Sequence, residues 1–141
     1  MEKYLNPKNI GDYNTKVFWD NAFTKYSKDY DWYGNYVDFK QYFQKYIQKK
    51  DSILIVGCGN SSMGEKLYTF LFIWLLIYRY DNGFRNITCV DYSEKVIETM
   101  KKRKGKRDSL LYEVMDVTHM TFNSESFDVV IDKVIVCIEL E

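Results

Sequence analysis

Two rhythms of apolar residues alternate along this chain. Ile53 to Val56 form a short unbroken apolar run, the mark of a strand buried on both faces of a parallel sheet. Asn86-Ile-Thr-Cys-Val-Asp91, Leu110 to Met115 and Phe127-Asp-Val-Val-Ile-Asp132 read as three more strands. The stretches between them carry the helical period instead. Val37, Phe39, Tyr42, Phe43, Tyr46 and Ile47 recur at steps of three and four, which predicts an amphipathic helix ending at Gln48-Lys-Lys-Asp51. After the first strand, Asn60, Ser61 and Ser62 are N-cap candidates for a helix starting near Met63. Ser93 is the N-cap expected for another, with Val96, Ile97 and Met100 on its buried face and Gly105 past its end. Near the N-terminus, Phe18, Trp19 and Phe23 share helical spacing, while Trp32, Tyr33 and Gly34 fit a loop. Alternating strands and helices predict an α/β fold with a parallel sheet, as one domain without repeat or linker.

One stretch breaks the pattern. Thr69 to Tyr80 is largely apolar and lacks the polar face a surface crossover helix needs. The run Phe70 to Tyr78 is well short of the roughly 20 residues that span a bilayer, and the N-terminal residues have no apolar signal core. A soluble, cytoplasmic protein is expected.

Composition adds limits. The 141 residues, 46% of them hydrophobic, are enough for one domain with a real core. Net charge is zero, so nothing global points to nucleic acid or an anionic membrane. The basic run Lys101-Lys-Arg-Lys104, with Lys106 and Arg107, is expected to serve the helix dipole and solubility. Cys58, Cys89 and Cys137 have no metal-ligand spacing and read as reduced thiols, and the single His119 reads as a surface or structural residue.

Candidate chemistry gathers at Gly57-Cys-Gly59. Glycines let the backbone turn sharply and come close to a ligand, and the helix start that follows presents unpaired N–H groups suited to a nucleotide or a carboxylate. An ordinary strand-to-helix turn has the same pattern. An acid closing the next strand, Asp91, strengthens the ligand reading because it can bind ribose hydroxyls. It lies 34 positions after Gly57; without the 12 residues 69–80 the interval is 22, near the usual spacing of about 20. A dinucleotide fingerprint wants a third glycine where this chain has Ser62, which disfavours a nicotinamide enzyme. The aromatic N-terminal stretch is either a hydrophobic cover over the core or a set of rings closing on the ligand.

The glycine turn, Asp91 and the acid Asp116 at the end of the third strand resemble a class I S-adenosylmethionine-dependent methyltransferase. With Phe18-Trp-Asp20, Tyr30-Asp-Trp-Tyr-Gly34, Asn86-Ile-Thr-Cys-Val-Asp-Tyr-Ser93, Met115-Asp-Val117 and Ser126 to Lys133, the chain is similar to small eukaryotic methyltransferase-like proteins that modify lysine on elongation factor 1A. The resemblance covers residues 13 to 133 apart from the insert at 69–80. It implies a Rossmann-like class I methyltransferase fold, a parallel sheet with helices on both faces and only the first four strands present. It divides the single partial domain into an aromatic cap at 10–48 and a cofactor-binding half at 51–133. It implies a site for S-adenosyl-L-methionine lined by Trp19, Phe23, Trp32, Gly57, Gly59, Asp91, Tyr92, Asp116, Val117 and Lys133, with no metal. Asp91 meets the ribose hydroxyls, and Asp116 with the Val117 backbone meets the adenine. Phe23 stands where a tyrosine is usual. The implied activity is protein-lysine methylation, with elongation factor 1A as the expected partner; a non-catalytic cofactor-binding or interaction module is the alternative. After Lys133 the chain departs from the family's Gly-Thr-Leu-Asp-like continuation. The insert and this ending point to an altered gene model or alternative transcript, and the open sheet edge to self-association.

Overall fold

The computed structural model describes residues 10–25, 28–31, 34–69 and 86–133. The insert at 69–80, except Thr69, and the ending at 134–141 lie outside them, as do Trp32 and Cys137. Four strands form one parallel sheet: β1 (Ser52–Val56), β2 (Asn86–Asp91), β3 (Leu110–Val114) and β4 (Val129–Asp132). Their order is β3-β2-β1-β4. Val56 pairs with Val90 on one side and with Asp132 on the other, so all strands end at the same edge of the sheet. The direction of strand succession reverses beside β1, and a crevice for ligands is expected at such a switch point.

The helices are α1 (Lys16–Lys25), α2 (Tyr36–Tyr46), α3 (63–69) and α4 (Glu94–Lys104). Each begins where its sequence supplies a cap or a polar turn. Asn35 accepts from the Val37 N–H at 2.8 Å while Asp38 accepts from the Asn35 N–H at 2.8 Å, closing a reciprocal cap on α2. Ser61 Oγ accepts from the Met63 N–H at 3.0 Å, and the first α3 helical bond follows from Lys66 to Ser62. Ser93 caps α4, and Gly105, with φ +57, lies at its end.

Alternate residues of the strands face two clusters, as the two-residue period of a pleated strand requires. Ile53, Ile55, Ile87, Cys89, Leu110 and Tyr112 face Met63 and Leu67 of α3 and Val96, Ile97 and Met100 of α4. Phe39 and Phe43 of α2 and Phe23 of α1 pack onto the same cluster. Each fully buried aliphatic here contributes about 1.5–3 kcal/mol relative to exposure. The other face presents Leu54, Val56 and Val90, covered among the described residues by Met115, Val117, Phe122 and Phe127 from the β3–β4 connection. The described helices therefore pack on one layer, and this connection covers the second.

β3 and β4 are shorter than their apolar runs. Phe127 turns its ring onto Phe122 in the second-face cluster, at 4.9 Å between centroids, and the Asp128 carboxylate accepts from the Ser52 N–H at 2.8 Å, so β4 begins at Val129. Met115 likewise joins that cluster after β3 has ended at Val114.

Candidate functional site

The C-terminal ends of the strands carry the residues that sequence singled out. Gly57 and Gly59 have φ of +60 and +50, a region that penalises a Cβ. A Cβ on Gly59 would also lie 3.3 Å from Phe23 Cζ, so the bare backbone of the turn sits against that ring. The Cys58 N–H donates to the Val90 carbonyl at 3.0 Å, tying the turn to β2.

Asp91 is 6% exposed, and its two oxygens face different elements. Oδ2 accepts from the Gly59 N–H and Oδ1 from the Ser93 N–H, each at 2.9 Å. Burial pushes its carboxyl above the usual range, opposed by the N–H groups of Ser93 and Gly59 and reinforced by the charge of Asp20. Asp20, on α1, accepts from Ser93 Oγ, which brings the aromatic helix onto the start of α4. A carboxylate has about four acceptor positions, so Asp91 keeps capacity for hydroxyl donors.

The other described candidates each have their own surroundings, and Trp32 lies outside the described residues. Trp19 is half-buried; its Nε1 donates to the Tyr13 carbonyl at 2.7 Å and its ring stacks on Phe23 at 5.8 Å. Tyr92 is half-buried, its phenol pushed up to about 12 by burial and by the charges of Asp91, Asp20 and Asp116. Asp116 is exposed and accepts from the Thr118 N–H and hydroxyl at 2.9 and 2.7 Å, which hold its carboxyl below the usual range. Val117 packs into the second-face cluster. His119 lies at the surface, 85% exposed at its side chain. Ser62, where a dinucleotide fingerprint has glycine, buries an Oγ with no hydrogen-bond partner among the described residues.

Lys133 has a specific partner. Its ammonium pairs with Asp31 at 2.7 Å, with side chains 9% and 10% exposed, and lies 3.4 Å from the Gly34 carbonyl. Asp31 also accepts from Ser61 Oγ. The Asn60 side chain completes the attachment of the N-terminal segment, accepting from the Tyr30 N–H at 3.1 Å and donating to the Lys28 carbonyl at 2.6 Å. Residues 28–31 are thus bonded to the glycine turn and to the end of β4.

The roles of Asp20, Asp31 and Asn60 were not legible from sequence, because their partners are remote. Arg103 is a different case. The basic run was expected to be a solvated helix end, and Lys101 and Lys102 are exposed, but Arg103 turns inward to Glu65, Asp29 and two turn carbonyls. A signal existed: Val96, Met100 and Arg103 fall at i, i+4 and i+7, on one helical stripe.

A glycine turn and an acid joined across neighbouring parallel strands are the arrangement that Rossmann-like folds present at their strand ends. The model of the methyltransferase domain matches residues 54–138, more than half of the chain, and the chain belongs to that family. It is similar to the mouse eEF1A lysine and N-terminal methyltransferase, 34% identical over 131 residues, which are 92% of this chain and 17% of that protein. The Drosophila melanogaster homolog is 35% identical over the same share of this chain and 18% of its own. The mouse EEF1A lysine methyltransferase 4 is 33% identical over 90% of this chain and 46% of its own. The chain therefore spans about a sixth of the length of the first two relatives and under half of the third. Among the described residues no helix is long and apolar enough to cross a membrane.

Proposed function

We propose that the chain binds S-adenosyl-L-methionine and belongs to a protein-lysine methyltransferase acting on elongation factor 1A. The observation that carries the reading is the bond between Gly59 N–H and the buried Asp91 carboxylate, inside a chain of the methyltransferase domain family. When bound, S-adenosyl-L-methionine supplies a sulfonium methyl group to a neutral amine. Asp91 would accept from its ribose hydroxyls, the turn Gly57–Gly59 would run beside its amino-acid part, and Asp116 with Val117 and Tyr92 would border the adenine. Trp19 and Phe23 would form the aromatic wall, with Trp32 as a further ring. Lys133 would act less by touching the ligand than by holding Asp31, and so the cap, in place.

The residues fit such a group. A carboxylate with spare acceptor capacity suits a vicinal diol, and Ser62 Oγ is a buried hydroxyl without a hydrogen-bond partner among the described residues. Methyl transfer to an amine depends on orientation and on a deprotonated acceptor more than on an acid catalyst. The relatives are named for methylation of eEF1A, which supports that substrate. We read 10–48 as the aromatic cap and 51–133 as the cofactor-binding half of one partial domain.

Isothermal titration with S-adenosylhomocysteine and with NAD tests the cofactor: binding of the first and not the second is expected, and the reverse would sink the reading. Incubation with elongation factor 1A and labelled S-adenosyl-L-methionine tests the reaction. Cofactor binding without transfer favours the second reading, a non-catalytic cofactor-binding or interaction module.

A further inference from the structure

Arg103 is the one member of the basic run at 101–104 whose described bonds reach across the site. Its Nε donates to Glu65 Oε1 at 2.7 Å, Nη1 to Asp29 Oδ1 at 2.6 Å and to the Asn60 carbonyl at 3.1 Å, and Nη2 to the Ser61 carbonyl at 3.0 Å. These acceptors belong to three segments: the cap, the glycine turn and the first turn of α3. Asn60 and Ser61 are buried and precede the α3 helical bond from Lys66 to Ser62, so they lie in the turn that leads into that helix. The same two residues use their side chains to hold Lys28, Tyr30 and Asp31. A guanidinium presents its donors in one rigid plane and can fix several acceptors at once; an ammonium on a flexible stem cannot reproduce that fork.

We propose that Arg103 is a positioning residue for the ligand site, fixing the Asn60–Ser61 carbonyls and Asp29 in one arrangement so that the cap and the glycine turn are assembled before a ligand arrives. It does not touch the ligand; it acts through the turn. This role rests on the cofactor reading above and adds to it a residue outside the strand ends. A solvated helix end, by contrast, needs only positive charge, which lysine supplies equally well.

The test compares Arg103→Lys, which keeps the charge and the number of tryptic sites, with Lys102→Ala, an exposed neighbour paired only to Glu98 among the described residues. S-adenosylhomocysteine titration, at a temperature where both are folded by circular dichroism, should give a dissociation constant raised roughly tenfold for Arg103→Lys and unchanged for Lys102→Ala. Limited trypsin digestion read by mass spectrometry should cut Arg103→Lys faster after Lys28, with cutting after Lys45 in α2 unchanged. Arg103→Lys that binds like wild type and is cut like wild type overturns the proposal, as does a general rise in cutting at both lysines, which marks plain destabilisation. If wild type itself fails to bind S-adenosylhomocysteine, the cofactor reading falls and takes the binding role of Arg103 with it. The digestion arm still separates the two failures, because selective release at Lys28 reports cap assembly without any ligand.

Discussion

Asp91 concentrates the electrostatics of the site in one residue. Its carboxyl stands above the usual range because burial penalises the charged form more than the N–H groups of Gly59 and Ser93 reward it. For a carboxyl raised on folding, the stabilising contribution is present below the unfolded value of about 3.9 and is lost as pH rises through the folded value. Hydroxyl donors favour the ionised form, so ligand affinity should move the other way and strengthen as pH rises through that value. Titrations with S-adenosylhomocysteine from pH 4 upward, in buffers of different ionisation enthalpy, should register proton release that fades once Asp91 is fully ionised. Asp91→Asn keeps the shape but sets an NH₂ group against an N–H donor, so affinity should fall by about 1–3 kcal/mol. Unchanged affinity would contradict the ribose assignment.

Between α3 and β2 the separation is set by Gly64. A Cβ there would lie 2.8 Å from Cys89 Sγ, with Leu110 and Tyr112 at 3.4 Å behind it, so the helix approaches the sheet as closely as a bare backbone allows. Gly64→Ala should destabilise the fold by about 1–3 kcal/mol through overpacking. The double variant with Cys89→Ala should recover much of that loss in urea denaturation, since the nearest obstacle is removed; no recovery would mean the strain lies in the backbone. The third glycine of a dinucleotide fingerprint, at the position of Ser62, is thus not needed for close helix packing. Gly64 does that task two residues later.

Across the whole molecule, the cap and the sheet are joined at a part-buried ion pair between residues 102 positions apart, Lys133 and Asp31. Removing one partner of a fully buried pair costs about 3–5 kcal/mol, and this part-buried pair should lose less than that, so Lys133→Met should lower the urea midpoint. Adding Asp31→Asn to it should restore part of the loss, because both charges are then gone. Among the described residues β4 is an edge strand, with Val130 60% exposed on it. Edge strands with apolar side chains recruit other chains, so the protein should self-associate in light scattering, and Val130→Lys should shift it toward monomer. A wild-type monomer at high concentration would remove the edge from consideration.

Local chemistry made the sheet and the turn legible. The apolar run Ile53 to Val56, followed by glycine and by serine caps, allows little besides strand, turn and helix, and Asp91 falls where a parallel neighbour brings its strand end beside that turn. The family resemblance came from the same ordered motifs, and the methyltransferase domain match upholds it. Tertiary structure alone decided the partners. Nothing in the spacing of Asp31 and Lys133, or of Asp20 and Ser93, indicates that they meet, because long-range pairs are set by how helices and strands pack and not by local period. The two faces of the sheet were likewise decided by packing: Phe122 and Phe127 lie in a connection without strand or α-helical structure, yet they cover Leu54, Val56 and Val90. Arg103 stands between these cases. Its stripe with Val96 and Met100 could be read from the helical period, but the acceptors that make it a clamp come from three segments that only folding brings within reach of one guanidinium.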